Sequence, residues 1–175
     1  VRTALVAYSW EGLAPSHMVR SLNDFFLGFS RLETFATVFV GVIDVVQGTL
    51  TYCCAGHPPA LLLHPGDQQT ELLNVQSGVV GAFREMVYRD GHVRLQPGDE
   101  LLLYTDGATE ARGPDGSFFG EMGLRDAVVR NIDLDVHDIP DKIMATLYEF
   151  TENRLDDDVA MMAVRFDGLD GGGAA

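Results

Sequence analysis

The chain has 175 residues, 46% of them hydrophobic and 22% charged, which is ample apolar mass for one domain with its own core. Twenty-six Asp and Glu against twelve Lys and Arg give a formal net charge of −14, which argues against a nucleic-acid surface or an anionic membrane as partner. No apolar run reaches the roughly 18 residues of a membrane span, and Val1-Arg2-Thr3 opens no signal-peptide pattern.

In chain order, apolar residues at 1, 4, 5 and 8 fit the tail of a helix over 1–10. Pro15 and Ser16 open a second helix. Met18, Val19, Leu22, Phe25 and Phe26 give it an apolar stripe, read as core with a partner-binding face as the alternative, and Gly28 is expected to end it. Segments 36–44 and 49–55 predict a hairpin around Gln47-Gly48, with Asp44 capping the turn. Cys53 and Cys54 are the only cysteines. Adjacent in a strand, they point to opposite faces and permit no disulfide framework, so a packing role and a cytoplasmic setting are expected.

Segments 60–64 and 70–73 form the next predicted hairpin, turning at His64-Pro65-Gly66-Asp67. Gly78 and Gly81 bracket a loop. Residues 86–95 alternate as a strand, with Gly91 read as a bulge. Gln96-Pro97-Gly98-Asp99 turns the chain into a strand at 100–104. Helices are expected over 122–131 and 138–152, a closing strand over 159–166, and a Gly-rich flexible tail over 167–175. Many antiparallel strands with few helices indicate an α+β layered fold.

Two strand ends carry acids. Leu101-Leu102-Leu103-Tyr104 reads as a buried strand that stops in Thr105-Asp106-Gly107, so Asp106 stands on a rigid stalk. Asp156-Asp157-Asp158 precedes the last strand. Each segment alone reads equally as an ordinary turn or a solvated acidic loop. Together, with no Cys/His cluster to compete, they suggest a hard cation such as Mg or Mn. His17, His64, His92 and His137 show no ligand spacing, and His57 reads as a turn-stabilising residue with proton donation as the alternative.

Five short motifs occur in one order: Phe35-Ala36-Thr37, Ala55-Gly56-His57-Pro58-Pro59, Pro97-Gly98-Asp99, Thr105-Asp106-Gly107-Ala108-Thr109-Glu110-Ala111 and Asp157-Asp158-Val159-Ala160. Their order and spacing resemble the metal-dependent serine/threonine protein phosphatases, in the bacterial branch typified by stage II sporulation protein E. The resemblance implies an α-β-β-α sandwich of two antiparallel sheets flanked by helices, with a phosphatase domain at 1–166. It implies two Mn or Mg ions held by carboxylates and hydrolysis by a metal-bridging water without a phosphoenzyme. By the same resemblance Asp106 and Asp157 are metal ligands and Asp158 their neighbour, with Gly107 and Glu110 supporting the Asp106 loop. The implied substrate is a phosphorylated regulatory protein, a STAS-type anti-sigma-factor antagonist in this branch.

One departure stands out. The family's early Asp-x-x-Gly-x-Gly motif is not found. Residues 1–34 hold only Glu11, Asp24 and Glu33, none followed by those glycines. The expectation is an N-terminally incomplete fold that has lost a bridging ligand. Such a chain would be weakly active or inactive, and its exposed sheet edge or helix would be available for dimerisation. The rival readings are a catalytically inactive binding module that keeps the fold and an unrelated acidic cation-binding domain.

Overall fold

The computed structural model describes residues 1–29 and 35–169. The chain forms two compact units, 1–59 with 74–95, and 60–73 with 96–175. Of the tail expected over 167–175, residues 170–175 lie outside the described residues.

The first unit begins with helices α1 (Arg2–Trp10) and α2 (Pro15–Phe29). Pro15 fits the first turn of α2 because its missing N–H has no partner to lose there. Gly28 lies inside α2 and does not end it. The helices adjoin a sheet of β1 (Val38–Asp44), β2 (Thr49–Ala55), β5 (Gln76–Ser77) and β6 (Gly91–Arg94). β1 and β2 form the expected hairpin, with Val38 opposite Ala55 and Asp44 opposite Thr49. Asp44 Oδ1 accepts the amides of Val46 and Gln47, both at 2.9 Å, which fixes the turn. The other edge of β2 is shared: β6 runs antiparallel to Thr49–Tyr52, and the two-residue β5 runs parallel to Cys54 and Ala55.

The core of this unit gathers Met18, Val19 and Leu22 of α2 onto Val38, Val40, Cys53, Ala55 and Val80. The helical stripe is therefore core, although Phe25 stays exposed. Both cysteines are free. Burial, reinforced by the charge of Asp90, pushes the Cys53 thiol up to about 11.

The strand expected over 86–95 forms only at β6. Residues 78–90 have no helix or strand of their own beyond an isolated bridge between Val80 and Ala36. Side chains hold this segment instead. Asn23, 1% exposed, donates to the Phe83 carbonyl (3.1 Å) and accepts the Gly81 amide (2.8 Å) and the Tyr88 hydroxyl (3.1 Å). Asp90 accepts the Ser16 amide and hydroxyl at 2.7 and 2.6 Å. Gly91 sits in regular register opposite Tyr52 and is no bulge. A Cβ there would come within 2.3 Å of the Tyr52 ring, so the glycine makes room for an aromatic side chain.

The second unit is built on a four-stranded antiparallel sheet. Its order is β4 (Gln69–Leu72), β3 (Leu61–His64), β7 (Glu100–Tyr104) and β8 (Met161–Arg165). A 3-10 turn at Pro65–Asp67 joins β3 to β4. Asp99 closes the turn before β7, accepting the Gln96 amide at 2.8 Å and the His64 Nδ1–H at 2.9 Å. Leu61, Leu63, Leu102 and Tyr104 share one face of the sheet with buried residues of α4 (Gly120–Arg130) and α5 (Ile139–Phe150), including Leu124, Val128, Ile143 and Leu147. Each such side chain removed from water contributes about 1.5–3 kcal/mol. This core fixes β7 as a central strand, and β7 in turn carries the acidic site. Among the described residues, no helix is long and apolar enough to cross a membrane.

Candidate metal centre

β7 ends at Tyr104, and after Thr105 the chain enters α3, a single helical turn over Asp106–Thr109 where a loop is expected. Thr105 occupies the position before it in extended conformation. Within this turn the Ala108 amide donates to the Thr105 carbonyl (3.0 Å) and the Glu110 amide to the Asp106 carbonyl (2.8 Å). The Thr109 hydroxyl also reaches the Asp106 carbonyl, at 3.1 Å. Asp106 is exposed, and its Oδ1 accepts the Gly107 amide at 3.1 Å, which orients the carboxylate. Glu110 is exposed and contributes through its backbone.

The second acidic segment leaves α5 through two left-handed residues, Glu152 (φ 52°) and Asn153 (φ 64°). This conformation is cheap for Asn and costly for Glu. The Asn153 amide returns to the Tyr148 carbonyl at 2.8 Å and closes the helix. Asp156, Asp157 and Asp158 follow, all exposed. Asp157 Oδ1 accepts the Asp158 amide at 2.7 Å. An open cavity of about 460 Å³ lies between this loop and Met144 and Tyr148 of α5, with Leu155 and Val159 beside it.

The two segments are stitched together although far apart in sequence. β7 pairs with β8 up to Tyr104 opposite Met161. Beyond that pair, the Thr105 amide donates to the Ala160 carbonyl at 3.0 Å. The Thr105 hydroxyl donates to the Asp158 carbonyl and accepts the Ala160 amide, both at 3.0 Å. Gly107 is buried here, and a Cβ on it would stand 2.6 Å from the Asp158 carbonyl oxygen. The lack of a side chain at Gly107 therefore lets the second acidic segment approach. Thr105 was not singled out in the sequence. Its position as the polar residue before a helical turn was the available signal.

Neither of the two ion pairs among the described residues, His64–Asp99 and Arg165–Asp167, involves Asp106 or Asp156–Asp158. The donor set is entirely carboxylate oxygen, which suits a hard divalent cation. Among the described residues, no three His, Cys, Asp or Glu side chains converge as a cage. His57 belongs to the first unit, in the turn after β2. Its Nδ1 donates to the Pro58 carbonyl at 2.8 Å, and its own carbonyl accepts the Cys54 thiol at 3.0 Å, a turn-holding arrangement.

The family model for stage II sporulation protein E matches residues 1–167. The chain belongs to this family. It is 32% identical over 148 residues to Protein IcfG of Synechocystis, covering 83% of this chain and 23% of that protein. It is 23% identical over 165 residues to phosphoserine phosphatase RsbU of Bacillus subtilis, covering 94% of this chain and 49% of that protein. The chain thus spans half or less of these relatives. Among solved structures, the SiaA PP2C domain of Pseudomonas aeruginosa superposes with a TM-score of 0.80 at 21% identity, over 95% of this chain and 67% of that one. That likeness bears out the α+β fold with two sheets and flanking helices.

Proposed function

We propose that residues 1–166 form a Mn- or Mg-dependent phosphatase domain that hydrolyses phosphoserine or phosphothreonine on a protein. The proposed substrate is a phosphorylated regulatory protein of the STAS-type anti-sigma-factor antagonist class, and the proposed setting is the cytoplasm. One observation carries the reading: two acidic segments without an ion pair among the described residues, 53 positions apart at Thr105 and Asp158, are hydrogen-bonded to each other at the end of a buried strand. Membership of the stage II sporulation protein E family and similarity to phosphoserine phosphatase RsbU support it.

When bound, the cation supplies Lewis acidity that polarises phosphoryl oxygen and lowers the pKa of a bound water. The chain supplies the rest. Asp106 and Asp157, with Asp158 beside them, offer the hard oxygen donors. The Gly107 amide orients the Asp106 carboxylate, and the Asp158 amide orients that of Asp157. Asp106 and Asp156–Asp158 are exposed, so the site admits water and a protein-borne phosphate. The cavity against Met144 and Tyr148 offers room for residues flanking the phosphorylated one.

The test is release of phosphate from a phosphoserine peptide at millimolar Mn, comparing the wild type with Asp106→Asn and Asp157→Asn. Hydrolysis by the wild type that both variants lose supports the reading. Hydrolysis unchanged by either substitution sinks it. The second reading, an inactive phosphatase-fold binding module, is favoured by the lack of a three-acid cage among the described residues. It predicts partner binding with no turnover by the wild type.

A further inference from the structure

We infer that Thr105 is a positioning residue that sets the spacing between the Asp106 turn and the Asp156–Asp158 loop through its hydroxyl. The inference rests on the proposed metal-dependent reading of these acids and adds a role for a residue that holds no ion.

A threonine in the position before a helical turn ordinarily turns its hydroxyl onto an amide of that turn. Thr105 makes no such cap. Its hydroxyl is committed across the site, donating to the Asp158 carbonyl and accepting the Ala160 amide, both at 3.0 Å. One oxygen thereby uses both its hydrogen and a lone pair on the same distant loop. The Thr105 amide adds a third bond, to the Ala160 carbonyl. Against this clamp, Gly107 lets the Asp158 carbonyl approach to a distance that would put it 2.6 Å from a Cβ. By contrast, among the described residues the Asp156–Asp158 side chains make only one hydrogen bond, in which Asp157 Oδ1 accepts the neighbouring Asp158 amide. The loop takes its placement from Thr105, and with it the distance between the two sets of carboxylates.

The test uses the 175-residue chain with Mn(II) as the probe, and compares Thr105→Val, Thr105→Ser and Asp157→Asn. Valine keeps the shape and removes both hydroxyl bonds; serine keeps the hydroxyl. Calorimetric titration should give Thr105→Val an Mn affinity weaker by about tenfold or more, the usual effect of losing a group that orients a ligand. Thr105→Ser should bind like the wild type. A threonine that serves only stability would lower the metal-free melting temperature of Thr105→Val and leave its Mn affinity unchanged, which would overturn the inference. If the wild type and Asp157→Asn bind Mn alike, the metal reading itself fails and the inference falls with it. Should Thr105→Val not fold, amide exchange decides. Protection of the Ala160 amide in the wild type and in Thr105→Ser upholds the clamp, and exchange at the rate of an open loop refutes it.

Discussion

The two segments that carry the acids are built in opposite ways. The Asp106 segment is a helical turn closed by its own backbone, with Gly107 and Ala108 buried and the carbonyls of Thr105 and Asp106 both in use. The Asp156–Asp158 segment is exposed throughout and has no turn of its own; its links run to its neighbour through Thr105. A site can thus be assembled from one preformed arm and one borrowed arm. Substitutions in the first should cost stability, and substitutions in the second should cost chemistry alone.

The sharpest test of that difference is activity. Asp106→Asn and Asp157→Asn should each lower phosphopeptide hydrolysis by more than about a hundredfold, beyond the range seen for groups that merely support a metal ligand. Steady-state assays at saturating Mn check this. If only Asp106→Asn does so, the borrowed arm carries no ligand.

Cation-linked stability comes next. An ion that binds only the folded chain should stabilise it by about 2.7 kcal/mol at a hundred times its dissociation constant. Melting curves with Mn should show a rise in the wild type that Asp157→Asn lacks. An equal rise in both would mean the ion acts on general surface charge.

Gly107→Ala should destabilise the preformed arm by about 1–3 kcal/mol in urea titrations, because its methyl must push against a backbone carbonyl. Asp156→Ala, on the exposed arm, should stay within about 0.5 kcal/mol of the wild type. Equal costs would erase the distinction.

The opposite end of β7 supplies a buried acid for contrast. Glu100 is 3% exposed, and its Oε2 has no hydrogen-bond partner among the described residues. Burial raises its pKa above the usual 4.5, opposed by the charge of Arg165. The folded chain then holds that proton more tightly than the unfolded one. The resulting stability is fully present below pH 4.5 and is lost as pH rises through the raised value. Glu100→Gln should therefore gain on the order of 1 kcal/mol relative to the wild type at pH 7 and little at pH 4. Thermal melts at the two pH values test this, and a gain of the same size at both would show that ionisation is not the cause.

Much of this arrangement was legible in the chain itself. The leucine run 101–103 announced a central strand, and the hairpin turn at Asp44 announced its cap. The place of Asp106 just after β7 and of Asp157 just before β8 was legible because acids next to an apolar run are conspicuous. The rest depends on contacts that leave no local periodic trace. Gly91 yields to a ring 39 positions earlier in the chain, at Tyr52, and Gly107 to a carbonyl at Asp158. Thr105 reads as a routine helix-start residue until the partner of its hydroxyl is known. The apolar alternation at 86–95 misled because Tyr88 and Asp90 bind side chains of α2 and do not join a ladder.

Asn23 has a consequence for anyone recombining this domain with a relative. A single amide fixes the Gly81 and Phe83 backbone and the Tyr88 hydroxyl, in a segment with no strand or helix to shape it. Residues 78–90 are therefore not a portable cassette. A chimaera that exchanges them while keeping a foreign α2 inherits the letters without the fold, whereas one that exchanges helix and segment together should inherit both. The crossover points that suit this chain are those that leave Ser16, Asn23, Tyr88 and Asp90 with the same parent.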